Sequence, residues 1–221
     1  MYISICGNTG AGKSTLGMYL ATKLGGSIPI EYVDEGNFHH AFLQKMFDRP
    51  GEYALLVQMN FLLQRTMKIK DLAEQKKIFL LERSLSEDYL FALRHMELGN
   101  IKSSDFESYH NFWTYCQSHT PMPCGYIYLR SEDTSLLARR VIQGYREDRR
   151  NQELPDDDLR EFVNDLNTRY DAWFASLQSE KISVPVFTGD FNNCEDSERV
   201  IDFVHGCFMK SGLLTRPIKP T

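Results

Sequence analysis

The run Gly7-Asn8-Thr9-Gly10-Ala11-Gly12-Lys13-Ser14-Thr15 constrains this chain more than any other feature. It fits the pattern G-x-x-x-x-G-K-[ST]. It follows the apolar stretch Tyr2-Ile3-Ser4-Ile5-Cys6 and opens a helical pattern from Leu16 to Leu24. Strand, loop and helix in that order are what the pattern needs in order to cradle phosphate. Glycines let successive N–H groups turn inward on phosphate oxygens, and the helix N-terminus adds partial positive charge. Lys13 can reach the outer phosphates, and the Ser14 hydroxyl can ligate Mg2+. Such a loop implies a bound nucleotide and says nothing of what is done with it.

Short apolar runs alternate with longer helical patterns along the rest of the chain. Strands are expected at residues 2–6, 28–33, 77–82, 125–130 and 184–188, with helices near 13–24, 38–48, 51–75, 87–98, 104–118, 133–143, 156–179 and 195–209. The third strand, Lys77-Ile78-Phe79-Leu80-Leu81-Glu82, is mostly apolar and suits a central parallel position buried on both faces. Pro29 places the second strand at an edge. The alternation predicts an α/β fold, a five-stranded parallel sheet flanked by helices on both faces. Ligands of such sheets lie beyond the carboxyl ends of the strands. One domain is expected over 1–210, with a charged, weakly periodic lid at about 144–158 and a loosely ordered tail at 211–221. The formal charge of −5 argues against a broad nucleic-acid or membrane footprint. Five cysteines, an odd number without C-x-x-C spacing, suggest a reducing cytoplasm and neither a disulfide framework nor a zinc site.

Glu82-Arg83-Ser84 closes the third strand. An acid at that position can organise Mg2+ or its waters, and the arginine can neutralise a transferring phosphoryl group. Further along, Arg139, Arg140, Arg146, Arg149 and Arg150 crowd around the lid, mixed with Glu147 and Asp148. A lid of arginines closing over phosphates would exclude the water that competes as acceptor.

Taken together, GNTGAGKST, ERS and the arginine-rich lid resemble the deoxyribonucleoside kinases. Three more stretches extend the resemblance over roughly residues 1–180: Tyr53 to Gln58 followed by Arg65, LSEDYLFALRHMELGN after ERS, and Arg169-Tyr170-Asp171-Ala172-Trp173-Phe174. It implies a P-loop kinase fold and transfer of the γ-phosphate of ATP, with Mg2+, to the 5′-hydroxyl of a deoxyribonucleoside. It also implies a homodimer through helices such as 51–75 and 104–118. The phosphate loop, Arg139, Arg146 and Arg149 would hold the donor, and Ser14 and Glu82 the metal. Gln58 would read the base. Arg65, with an acid after ERS taken as Glu87, would favour cytosine or purine over thymine, although the segment is one residue short of the family spacing. Phe91 matches the ring that flanks the base. The general base is reached by two counts. Forward from Lys13 it is Glu31, the preferred choice, and backward from Phe47 it is Glu35.

The chain also departs from the family. The proline of the family's Glu-Pro-Val is missing. Phe47 replaces a tyrosine that touches the sugar 3′-hydroxyl. Gln143-Gly144-Tyr145 stands where the family lid reads Arg-Gly-Arg, so Arg146, Arg149 and Arg150 would take over, with Glu147 or Asp148 touching the sugar. These departures leave open a non-catalytic nucleotide-binding member of the fold and a kinase for a modified nucleoside, and the P-loop, acid–arginine pair and arginine lid are shared by a third reading, a thymidylate-kinase-type monophosphate kinase.

Overall fold

A computed structural model describes residues 1–26, 28–39, 41–147, 156–179, 186–187 and 194–210. Its parallel sheet has the order β2-β3-β1-β4-β5. Four strands form its body: β1 (Tyr2–Gly7), β2 (Ile30–Val33), β3 (Ile78–Glu82) and β4 (Gly125–Leu129). The fifth, β5 (Val186–Phe187), is a two-residue stub paired with the end of β4. As expected from Pro29, β2 lies at an edge, and β3 is buried between β2 and β1.

Side chains alternate along β1, and each face finds its own helices. Ile3 and Ile5 pack with Leu16 and Leu20 of α1 (Lys13–Leu24) and with Val200, Val204 and Phe208 of α8 (Cys194–Lys210). On the other face, Tyr2, Phe79 and Leu81 meet Leu62 and Ile69 of α3 (Pro50–Glu74), Ala92 of α4 (Leu85–Glu97) and Tyr109 of α5 (Ser103–Ser118). Tyr126 and Tyr128 of β4 continue that face against Tyr170 and Phe174 of α7 (Asp156–Ser179). Each fully buried aliphatic side chain in these layers contributes about 1.5–3 kcal/mol, enough in sum to hold the strand ends in fixed relation.

Two boundaries differ from expectation. Residues 38–48 do not form one helix. The Asp34 carboxylate accepts from the Gly36 amide and starts a 3-10 turn at Glu35–Asn37, after which Phe38 is extended. His39 is then strapped to α3: its N–H donates to Gln64, and its carbonyl accepts from Asn60 and Gln64. Helix resumes only at α2 (Leu43–Asp48). The second difference is α6 (Thr134–Glu147), which continues into the expected lid, while α7 begins at Asp156. Residues 148–155 and the tail 211–221 lie outside the described residues.

Candidate active site

The site forms where β1 and β3 end side by side. Ile5 is in register with Glu82, and the Arg83 amide donates to the Ile5 carbonyl, so Gly7–Ser14 and Glu82–Ser84 leave the sheet together. Gly10 and Gly12 have φ of 79° and 90°, a region open to glycine at little cost. A Cβ on Gly10 would stand 2.9 Å from the Leu137 carbonyl, so α6 backs directly onto the loop there.

Lys13 is buried, its Nζ donating to the Asn8 carbonyl at 3.0 Å and lying 3.9 Å from Glu82. Burial lowers its pKa, the nearby Arg83 lowers it further, and Glu82, Glu35 and Glu87 offset only part, leaving it at about 8. The Ser14 hydroxyl donates to Glu82 Oε2 at 3.0 Å, and the Tyr32 hydroxyl donates to the same oxygen at 2.8 Å. Hydroxyl and carboxylate oxygens are the hard donors that Mg2+ takes, usually with phosphate and water completing the shell. Among the described residues no group of three or more His, Cys, Asp or Glu could cage a metal, and Ser14 with Glu82 supplies two hard oxygen donors side by side.

Beyond the strand ends lies a buried charge network. Arg65 of α3, fully buried, donates to both oxygens of Asp88 at 2.8 and 3.1 Å, to the Glu82 carbonyl at 2.6 Å and to Glu35 at 2.8 Å. Arg83 donates to the other oxygen of Glu35 at 2.6 Å and to the Tyr170 hydroxyl at 2.8 Å, with its guanidinium over the Phe91 ring. Burial pushes the Glu35 carboxyl up, but Arg83, Arg65 and Lys13 outweigh it and hold it at about 2. Burial likewise lifts Asp88, to about 6, against the pull of Arg65.

Several expected site residues fall elsewhere. Glu31 does not join the group: it pairs with Phe79 inside the sheet register, and its carboxylate is tied to Lys77 at 2.7 Å and Lys68 at 3.4 Å. Glu35, past the end of β2, meets the arginines instead. Glu87 does not partner Arg65. It points the other way, and Asp88 takes that place. Arg139 faces outward beside Asp133, whereas Arg140 reaches the Gly10 carbonyl at 3.4 Å. Asp148 and Arg149 lie outside the described residues, as does the side chain of Arg146. Phe47 packs with Met46, Ala54 and Ile101. Gln58 is buried on α3, two turns before Arg65, and draws no side-chain hydrogen bond from the described residues. Sequence reasoning missed Tyr32, whose ring lies on α1, and Tyr170, noted only as part of a matching stretch. Neither a strand position such as that of Tyr32 nor a buried helical one such as that of Tyr170 gives a sign of which tyrosine hydroxyl meets a charge.

Comparison with known proteins identifies the family. A family model described as deoxynucleoside kinase matches residues 3–208. A deoxyadenosine/deoxycytidine kinase of Bacillus subtilis is 27% identical over 205 residues, covering 90% of this chain and 89% of the relative. A deoxyguanosine kinase of Dictyostelium discoideum is 25% identical over 203 residues, covering 90% and 67%. In fold, the chain is similar to a deoxyadenosine kinase from M. mycoides solved with bound dATP, with a TM-score of 0.72 at 20% identity, over 93% of this chain and all of that one. Since the family model spans nearly the whole chain, from the first strand through α8, the chain belongs to the deoxynucleoside kinase family and is an ATP-dependent kinase that phosphorylates an alcohol group of a deoxynucleoside.

Proposed function

We propose that this kinase transfers the γ-phosphate of ATP, as its Mg2+ complex, to the 5′-hydroxyl of a purine or cytosine deoxynucleoside. The observation that carries the acceptor reading is Arg65 locked on Asp88, with the buried amide of Gln58 on the same face of α3. An amide donates and accepts in one plane, which matches a base carrying an amino group beside a ring nitrogen. Asp88 can only accept when ionised, so it suits an amino-bearing edge and disfavours the paired carbonyls of thymine. Phe91 and Phe47 would border the nucleoside. The names of the relatives above, which read adenosine, cytidine and guanosine, point the same way.

Glu35 takes the role expected for Glu31. Held ionised by two arginines, it accepts the hydrogen bond of the 5′-hydroxyl, aims that oxygen at phosphorus and receives its proton as the new bond forms. Lys13 and Arg83 neutralise charge on the phosphoryl oxygens in flight. Ser14 and Glu82 would hold Mg2+, which supplies further neutralisation of the phosphate charge when bound. Arg140 stands where α6 meets the loop, and Arg146 and Arg149 are assigned to the lid. An acceptor phosphate, as in a monophosphate kinase, would add negative charge beside Glu35 and Asp88. We further assign a cytoplasmic homodimer; the exposed Leu56, Leu63 and Met67 along α3 support the dimer.

The test is phosphorylation by Mg-ATP of the four deoxynucleosides and their 5′-monophosphates, with Lys13→Ala as the blank. Turnover of deoxyadenosine, deoxyguanosine or deoxycytidine, lost in the blank, is expected. Thymidine or a monophosphate as the best acceptor would overturn the reading.

A further inference from the structure

Glu87 is an acid of this region that neither the metal site nor the acceptor reading uses, and it is fully buried. Its place in sequence, three residues after the helix-capping Ser84, fits the reciprocal cap in which the acid turns back to the cap residue's own amide. Only half of that cap forms. The Ser84 hydroxyl accepts from the Glu87 amide, but the Glu87 carboxylate turns inward, under the phosphate loop. There Oε1 accepts from the Tyr170 hydroxyl at 2.7 Å and from the Gly7 amide at 3.3 Å, and lies 3.7 Å from Arg83 Nη1. The other oxygen, Oε2, has no hydrogen-bond partner in the described structure. The Cys6 thiol beside the carboxylate is pushed well up by its burial and by that negative charge, so it stays a thiol.

A buried carboxylate with one oxygen unmatched is costly, and a neutral, well-packed side chain in its place would commonly be no less stable. What the carboxylate adds is a charged acceptor that touches two working parts at once. Gly7 opens the phosphate loop. Tyr170 accepts from Arg83 and donates to Glu87, so the chain Arg83–Tyr170–Glu87 is ordered in direction from end to end. Burial and the neighbouring Glu87 push the Tyr170 phenol well above its ordinary range, so it remains a donor. Arg83 needs such support: its backbone has φ of 67°, a conformation unfavourable for a side chain larger than glycine.

We infer that Glu87 is a positioning residue for phosphoryl transfer: through Tyr170 it sets the Arg83 guanidinium, and through the Gly7 amide it registers that guanidinium to the phosphate loop. Glu87 touches neither substrate. It acts on the transition state, where a small displacement of a charged group is felt most, and hardly on the ground-state affinity of either substrate. The inference rests on the role proposed above for Arg83.

The experiment compares Glu87→Gln, Tyr170→Phe and the double variant with the parent, by initial rates at varied ATP and nucleoside and by thermal melting. Glu87→Gln keeps an oxygen acceptor and removes the charge; Tyr170→Phe keeps the ring and removes the relay. Each is expected to lower kcat by about tenfold or more, with both KM values within about threefold of the parent. The double variant is expected to be no slower than the slower single one, because the residues act as one chain. Multiplying kcat losses, or KM values rising in step with the loss of melting temperature, would make Glu87 a merely structural residue and overturn the inference. If Glu87→Gln does not fold, Tyr170→Phe decides alone: unchanged kcat in that variant sinks the inference. Arg83→Gln separates this from the parent reading. Full activity in Arg83→Gln defeats the role of Arg83 itself, whereas inactive Arg83→Gln beside fully active Tyr170→Phe defeats only the relay.

Discussion

Lys13 should make ATP binding depend on pH near neutrality, well below the range of an ordinary lysine. In the free enzyme its ammonium is buried. It has one carbonyl partner at 3.0 Å and a carboxylate no nearer than 3.9 Å, and burial with the adjacent Arg83 brings its pKa to about 8. The phosphates of ATP bring to that ammonium the negative charge it lacks, so the protonated form is the one that binds. With a pKa of about 8, the site is about nine-tenths protonated at about pH 7 and about one-tenth at about pH 9. Above the pKa, binding must draw a proton from solvent, and affinity should fall by about tenfold per pH unit. The assay is calorimetric titration with Mg-ATP, without acceptor, at about pH 7, 8 and 9, in two buffers of different ionisation enthalpy. The buffer dependence of the heat counts the protons taken up, expected to approach one per ATP at the highest pH. Lys13→Arg is the control. Its guanidinium does not titrate in this range, so its profile should be flat whatever its absolute affinity. A wild-type Kd for Mg-ATP that stays constant across this range, with no proton uptake, would refute the reasoning.

Four further outcomes follow from contacts in the same region. Glu35→Gln should lower kcat by about 10²–10⁴-fold while leaving nucleoside affinity largely intact; wild-type turnover in that variant returns the base role to another group. Glu35 should also support the fold. Its folded carboxyl lies at about 2 against a reference of 4.5, so its contribution, about 3 kcal/mol, is complete above the reference value and is lost as pH falls through about 2. A denaturant midpoint unchanged by Glu35→Gln at neutral pH would contradict this. Asp88, lifted mainly by burial to about 6, should lose its charge as pH falls through that value, raising the nucleoside KM. Asp88→Asn should raise KM by about tenfold or more and flatten that limb, and a wild-type KM constant between about pH 5 and 7 rejects the assignment. Finally, a Cβ on Gly17 would lie 2.1 Å from the Tyr32 ring, which is held by its hydroxyl on Glu82. Gly17→Ala should therefore cost about 1–3 kcal/mol. Adding Tyr32→Ala should recover most of the loss, and a double variant no more stable than Gly17→Ala argues that the strain lies elsewhere.

The parts of this molecule legible in its sequence are those the backbone decides locally. The glycine loop, the apolar strands and the helix at Lys13 follow from torsional freedom and hydrophobic period, and each stands within a few residues of its expected place. The side-chain network is less legible, and three expected contacts fall on a different residue in the structure. Counting forward from Lys13 points to Glu31. The count takes the length of strand as constant, whereas the acid that meets the arginines is the one past the strand end, carried there by the short turn after Asp34. Glu87 is expected beside Arg65 and Arg139 beside the loop, but Asp88 and Arg140 stand there, because neighbours on a helix point about 100° apart. Which of two adjacent charges faces the site is then a question of helical phase. For α4 that phase is set by the left-handed Arg83 and the Ser84 cap, and for α6 by the packing of Leu137 and Val141 beside Gly10. The same phase that gives Arg65 its acid turns Glu87 beneath the phosphate loop. On the roles proposed above, the acid pair Glu87-Asp88 would serve two ends of one reaction: Asp88 contacts Arg65, and Glu87 contacts Tyr170 and Gly7. Exchanging the two acids, as Glu87→Asp with Asp88→Glu, would keep composition and net charge and disturb both contacts at once. Phosphoryl transfer should fall further in that exchange than in either neutral single variant.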